Sequence, residues 1–402
     1  MSRRKGIDPG ILEAANQFDA KQFVENVRGE FSDFPDHRYN KKRILYPVWY
    51  ICLVILCGFF CGCNTVEEIV EYALLQQGWF DELLGKRYQA PSYSTLWWFL
   101  VKVEPIALKR YLQKWFMKLP DQLQDQLLAL DGKRLRSATF LGGITHVVEL
   151  FAAADRLVLA VEKVADKKVE KSCLPAILEQ VNVKGAIISG DAHFTNPMVA
   201  EQIVNADADY LLAVKGNQPK LQAEMENFFS QAHALDWEGI EHLVHKTVEK
   251  DHGRVETREV RIIDDLEWLP QRASWKKLTT LIEVKATREH IKSGKCESAT
   301  RLYICSRQGK APDFSQWVRG HWSVENNCHW QVDVIFGEDA VQMDVGHSAE
   351  NLGIFRRLAM NMAVIADPER GLASVRRAAT FGTGYLKGIL SKIFLKRSVK
   401  SF

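Results

Sequence analysis

The sequence predicts an α/β fold: a mixed sheet with flanking helices, interrupted by a β-rich insertion and preceded by an N-terminal helical domain. Three observations carry this. Residues 1–120 place Trp, Phe, Leu and Tyr at helical spacings, punctuated by Pro35, Pro91, Pro105 and Pro120. From Leu127 onward short apolar runs of strand length alternate with helical ones. Between Glu241 and Cys305 the pattern is β throughout, with charges at alternate positions, as in an antiparallel sheet with one wet face.

Taken in order, the first elements are helices. Tyr46–Cys63 is one long apolar run, and Thr65 to Glu68 has the spacing of a capping box opening the next helix. Pro91–Thr95 reads as a helix start, followed by the core stripe Leu96–Leu100. Leu127–Asp131 is a short strand ending in a carboxylate, and Gly142-Gly143 turns the chain into strands at His146–Ala154 and Leu157–Val164. Leu174–Val181 is helical, and Ala186–Asp191 is a buried strand that again ends in an acid. Helix Pro197–Val204, strand Tyr210–Val214 and helix Leu221–Phe229 follow. The insertion holds strands at His242–Lys250, Val255–Ile263, Leu278–Thr287 and Thr300–Cys305. Four segments result: a helical domain at 1–120, a first part of the core at 121–235, the insertion at 236–308, and a return to the core at 309–402.

Composition narrows the classes. A chain of 402 residues is too long for one small core. The net charge of +3 is weak evidence for a polyanion partner, but the tail after Ile365 carries Arg370, Arg376, Arg377, Lys387, Lys392, Lys396, Arg397 and Lys400 against Asp367 and Glu369. Such a basic end suits phosphate contacts, or is a solvated helix face. The cysteines form no CxxC pair and no zinc-site spacing, and no cleavable signal peptide is read, so reduced, mostly buried thiols in a cytoplasmic protein are expected. Tyr46–Cys63 is apolar enough to be considered as a membrane span, with Lys41, Lys42 and Arg43 before it. No second such stretch exists, and a buried helix is the favoured reading.

The chemistry centres on Trp317–Ala340. Glu325 lies mid-way along a predicted helix, and at about 100° per residue Val318, His321, Trp322, Cys328, His329 and Val332 share its side. A charged Glu on so apolar a face needs a hydrogen-bond network, a proton or a cation. Asp131 and Asp191, at two strand ends, with Glu325 on a helix, make a candidate three-carboxylate site for hard octahedral cations such as Mg²⁺ or Mn²⁺. A mononuclear site of His321, Glu325 and His329 is excluded by length: eight helical residues rise roughly 12 Å, whereas zinc ligands each sit about 2 Å from the ion.

Several motifs occur together in order: Leu130-Asp131-Gly132-Lys133, Ile188-Ser189-Gly190-Asp191-Ala192, Tyr210–Pro219 (YLLAVKGNQP), His252–Arg258 (HGRVETR) and His321–Asn326 (HWSVEN). With Asp36-His37-Arg38 and Val66-Glu67-Glu68-Ile69 near the N-terminus, the chain resembles, over nearly its whole length, bacterial insertion-sequence DDE transposases of the H-repeat-associated type. The resemblance implies an RNase H-like core with a β insertion between the second Asp and the Glu, and two-metal-ion cutting and joining of insertion-sequence ends. It makes Asp131, Asp191 and Glu325 the catalytic and metal-binding triad, for Mg²⁺ with Mn²⁺ as substitute. Lys133, Lys215, Arg254, Arg319 and His321 become the candidate DNA contacts. It further implies double-stranded DNA as partner (terminal repeats and target), a homodimer on that DNA, no membrane, and a place at the nucleoid in the bacterial cytoplasm.

The sequence departs from that pattern in two places. Related transposases carry Tyr, Arg and Lys around the catalytic Glu at positions that here are Val318, His321 and Val332. Where close relatives read Lys-Ser-Asn-Glu, this chain reads Lys167-Lys168-Val169-Glu170. A second reading is therefore a decayed or repurposed DNA-binding protein of the same fold.

Overall fold

The computed structural model describes residues 7–36, 38, 44–116, 123–135, 145–164, 167–251, 253–341, 343 and 345–394. His37, Gly142-Gly143, His252, the three cations Lys41, Lys42 and Arg43, and the end of the basic tail (Lys396, Arg397 and Lys400) lie outside them. The chain forms two compact units, one of residues 1–121, 134–145 and 327–402 and one of residues 122–133 and 146–326.

Seven helices come first: α1 (Pro9–Asn16), α2 (Ala20–Glu30), α3 (Val48–Phe60), α4 (Val66–Leu75), α5 (Gln77–Leu84), α6 (Tyr93–Lys102) and α7 (Pro105–Phe116). Then come β1 (Leu127–Leu135), β2 (Thr145–Ala152), β3 (Leu157–Val164), α8 (Leu174–Gln180), β4 (Ile187–Gly190), α9 (Pro197–Asn205), β5 (Asp209–Val214) and α10 (Pro219–Ala234). Strands β6 (Leu243–Asp251), β7 (Arg254–Ile263), β8 (Thr280–His290) and β9 (Cys296–Cys305) lead into α11 (Ala311–His321). The chain ends in α12 (Trp330–Val334), α13 (Ser348–Ala366), α14 (Leu372–Phe381) and α15 (Thr383–Phe394).

The first unit is helical. Every residue of α3 is buried, which explains an apolar run without amphipathic periodicity. Its 13 residues span about 20 Å, short of a hydrocarbon core of about 30 Å. Among the described residues no helix is long and apolar enough to cross a membrane. The capping box of α4 forms as expected: Glu68 N–H donates to Thr65 Oγ1 at 3.2 Å, and Thr65 N–H to Glu68 Oε2 at 3.2 Å.

The C-terminal helices α13, α14 and α15 belong to this same unit, not to the sheet, and this alters the reading of the basic tail. Arg376 is buried, and its guanidinium donates to the carbonyls of Phe59 at 2.7 Å and Cys63 at 3.0 Å. It thereby adds a charged donor to carbonyls at and just beyond the end of α3. Burial lowers its pKa to about 10, which leaves it charged at neutral pH. Arg370 donates to Asp367 and Lys392 to Asp8. These three cations tie helices together instead of forming a phosphate-binding face.

The second unit is built on one nine-stranded sheet in the order β3-β2-β1-β4-β5-β9-β8-β7-β6. Its centre is parallel, β1 with β4 and β4 with β5, while β9 joins β5 antiparallel and β8, β7 and β6 continue antiparallel. The strand-rich block from Leu243 to Cys305 thus extends the core sheet; it does not form a separate body. One face of the sheet is closed by α11. Phe314 and Val318 pack with Leu127, Ile187 and Leu211 from the parallel centre and with Val260, Ile282 and Tyr303 from the antiparallel wing. Phe314 is fully buried there, so Phe314→Ala should destabilise this unit by about 3–5 kcal/mol. The check is urea unfolding of the full chain followed by a probe in the sheet, where a lower midpoint is expected.

Candidate active site

The site follows from the register of two parallel strands. Leu127, Leu128, Ala129 and Leu130 of β1 lie opposite Ile187, Ile188, Ser189 and Gly190 of β4. The next residues are Asp131 and Asp191, side by side on strands about 4.8 Å apart. Alternation puts both acids on the face of Leu127 and Ile187, the face that α11 covers. Asp191 follows the last residue of β4, whereas β1 runs on through Asp131 to Leu135, so only the second acid is strand-terminal.

Each aspartate is held by backbone. Asp131 Oδ1 accepts from Gly132 N–H at 2.9 Å. Asp191 Oδ1 accepts from His193 N–H at 2.8 Å and from Phe194 N–H at 3.3 Å, closing the turn after β4. Asp191 thus caps the turn, and a carboxylate keeps further lone pairs that could face the cleft.

Above these strands, α11 carries Phe314, Val318 and His321 along one stripe, and the chain continues to Glu325. His321 Nδ1 lies 2.9 Å from Ser189 Oγ, so the helix is pinned to β4 two residues before Asp191. The predicted uninterrupted helix does not form. The chain turns at Trp322, and Glu325–His329 is a single π turn leading to α12. The expectation that Glu325 sits on the buried side is overturned with it: Val318, Cys328, His329 and Val332 are buried, but Glu325 is exposed and Trp322 half-exposed. The turn and the wider π turn shift the angular phase after His321, and the carboxylate swings out of the apolar stripe.

Asp131, Asp191 and Glu325 line one cleft of about 510 Å³, with His321, Lys215 and Arg301 also on its walls. A carboxylate oxygen of Asp131 and one of Glu325 lie within 4.8 Å of each other. An octahedral ion with ligands at about 2.0–2.1 Å needs its oxygens no more than about 4.2 Å apart, so a small side-chain rotation brings these two onto one ion. These two donors are carboxylate oxygens, which suit a hard divalent cation.

The other residues expected to contact DNA are placed unevenly. Lys215 is exposed at the cleft. Arg254 is half-buried at the start of β7, and Arg319 is exposed and ion-paired with Glu249 of β6, which raises its pKa further. Lys133 is buried in β1. Val318 and Val332 are buried core residues. Burial lowers the pKa of His321 below the ordinary histidine value, and the Asp191 charge opposes that shift.

Three features of the site were not anticipated from sequence. Ser189 holds His321; its signal was a polar residue alternating with Asp191 on an otherwise apolar strand. The Arg301 guanidinium sits over the Trp322 ring, 5.0 Å from its centroid. Glu170, which keeps the Glu of the Lys-Ser-Asn-Glu pattern, is buried against Gly132, next to Asp131, and nothing in that pattern announces its burial.

The geometry can be set beside known proteins. A family model described as "Transposase DDE domain" matches residues 123–362, a span that takes in all three acids, and one described as "DDE_Tnp_1-associated" matches residues 29–116. The chain belongs to the DDE transposase family. It is 28% identical over 381 residues to the Escherichia coli (strain K12) protein named "H repeat-associated putative transposase YhhI", covering 93% of this chain and 98% of that one. It is 31% identical over 291 residues to an "Uncharacterized protein in dhlA 3'region" of Xanthobacter autotrophicus, covering 71% and 96%. Among solved structures, a piggyBac transposase synaptic complex with hairpin DNA aligns with a TM-score of 0.44 at 8% identity, over 98% of this chain and 82% of that one. Membership of the DDE transposase family implies a metal-dependent nuclease or transferase, in keeping with a cleft of hard oxygen donors.

His321 gives a check on the electrostatics of this cleft. Its folded pKa is depressed, so the neutral imidazole is favoured, and stability is lost as pH falls from the unfolded value of about 6.5 through the folded one. NMR of ring-labelled histidine, assigned with His321→Gln, should show a midpoint below 6.5. In Asp191→Asn the midpoint should fall further, because the charge that opposes the shift is gone.

Proposed function

We propose that this chain is a transposase that cuts and joins the ends of an insertion sequence, with Asp131, Asp191 and Glu325 as its catalytic, metal-binding triad. The observation that carries the reading is the convergence of the three acids on one cleft, two from adjacent parallel strands and one from the segment following α11. The parallel centre of β1, β4 and β5, with the β2–β3 hairpin at its edge, is the part we assign to an RNase H-like core.

Divalent ions bound there, Mg²⁺ or Mn²⁺ in its place, would lower the pKa of an attacking water and neutralise charge developing at the scissile phosphate. The chain's own residues do the rest. Asp131 and Asp191, immobilised by backbone N–H groups, offer fixed oxygens, and Glu325 closes the site from the opposite wall. Lys215 and Arg301, on the rim, bind the phosphates on either side of the cut. Neutral His321, fixed by Ser189, lines the cleft without adding a third positive charge to Lys215 and Arg301. Hydrolysis frees a 3′-hydroxyl, which then attacks target DNA.

Arg254, and Arg319 once released from Glu249, would meet duplex outside the cleft, whereas Lys133 stays in the sheet. Two copies act together, one for each element end, on chromosomal DNA at the nucleoid.

The test is incubation of the purified chain with labelled element ends, with and without Mg²⁺. Asp131→Asn, Asp191→Asn and Glu325→Gln should each bring cleavage to background while leaving DNA binding in gel shifts largely intact. Retained cleavage in any one removes that residue from the triad. If the wild type binds ends but never cuts them, the chain is a DNA-binding protein of the same fold. Lys215→Ala should reduce the slope of log affinity against log salt by about one.

A further inference from the structure

Beside the triad lies a second carboxylate with a different role. Glu170 is 2% exposed, at the end of the buried face below β1. His146 Nδ1 lies 3.1 Å from its Oε1, and His193 Nε2 faces its Oε2 at 3.5 Å. The same carboxylate lies flat against Gly132: a Cβ built there would meet Oε1, Cδ and Oε2 at 2.6, 2.7 and 2.7 Å. No side chain fits at residue 132 while Glu170 keeps its place.

These contacts close a loop. Gly132 follows Asp131, and its N–H donates to the Asp131 carboxylate. His193 lies two residues after Asp191, and its N–H donates to the Asp191 carboxylate at 2.8 Å. Glu170 thus touches the backbone beside one acid and the side chain of the residue that caps the other. The strand register fixes the two backbones relative to each other, but not the turn that aims Asp191. A buried carboxylate is costly without partners, and its position here joins the two segments at the point where the register ends.

We propose that Glu170, with His146 and His193, is a positioning residue that sets the separation of Asp131 and Asp191 and so the affinity of the cleft for divalent ions. This rests on the proposed function above. A merely structural ion pair would lower stability on removal without changing the ion requirement of the molecules that remain folded. A positioning residue changes that requirement, because carboxylates that back metal ligands typically contribute about 10–100-fold in ion affinity.

The experiment measures Mn²⁺ binding to the full chain by the electron paramagnetic resonance signal of free Mn²⁺, in the wild type and in Glu170→Gln, Gly132→Ala and Asp131→Asn, each first shown to be folded by thermal unfolding. Glu170→Gln removes the charge, and Gly132→Ala displaces the carboxylate while leaving it in the chain. Both should raise the Mn²⁺ concentration at half-saturation by about 10–100-fold. Cleavage of labelled ends should recover toward the wild-type rate in both at saturating Mn²⁺, and in Asp131→Asn at no concentration. Mn²⁺ binding unchanged in a folded Glu170→Gln or Gly132→Ala overturns the positioning role. Wild-type binding that is indifferent to Asp131→Asn instead overturns the triad itself, so the two failures are told apart.

Discussion

The close approach of α11 to β1 is the constraint on which the site depends. Gly320 is where they meet: a Cβ there would lie 2.5 Å from Leu127 Cδ2, so any side chain at residue 320 would displace the Leu127 side chain from the core. Once seated, the helix has little choice of direction, since Phe314 and Val318 fill the surface formed by Leu127, Ile187 and Leu211. The chain leaving α11 then brings Glu325 to the cleft that Asp131 and Asp191 also line. The shape of the cleft follows from this packing, with the hydrogen bond between His321 and Ser189 tying the end of α11 to β4.

Much of this was readable in the chain because it is local. The strands containing Asp131 and Asp191 are apolar runs bounded by turn chemistry, and the α4 capping box is a four-residue pattern whose hydrogen bonds form as the spacing requires. The three acids were already candidates from their places at strand ends and on a helix, and the resemblance implied that they converge, since spacing cannot show which strands lie side by side. What periodicity misjudged was Glu325. A period of 100° per residue assumes an unbroken helix, and the break at Trp322 with the π turn after it invalidates the phase for every later residue. Gly320 stands two residues before the break, but a lone Gly inside a helical pattern does not by itself announce one.

Glu170 and Arg376 were hidden for a different reason. Each is a charged residue that a sequence reading assigns by default to the surface. Arg376 is inside because its guanidinium donates to carbonyls at and just beyond the end of α3, and Glu170 because Gly132 leaves room for a carboxylate between two imidazoles. Both depend on contacts between residues far apart in the chain, 317 positions in the case of Arg376 and Phe59. The basic tail shows the same effect, since counting cations could not separate those that tie helices from those that face solvent.

The three acids are also carried by different kinds of local structure. Carboxylates crowded into one cleft repel each other, more strongly as water is excluded. Asp131 and Asp191 tolerate this because backbone N–H groups donate to them, and those donors are fixed by the sheet and its turn. Glu325 has no strand beneath it; it is exposed, on a π turn, at the end of the sheet unit. Single π turns inside helices are frequent at functional sites. Two of the acids thus sit on the sheet and the turn that follows it, and the third on an exposed π turn. Packing of Glu325 into the apolar face of its helix, as its sequence neighbours suggested, would have buried the charge.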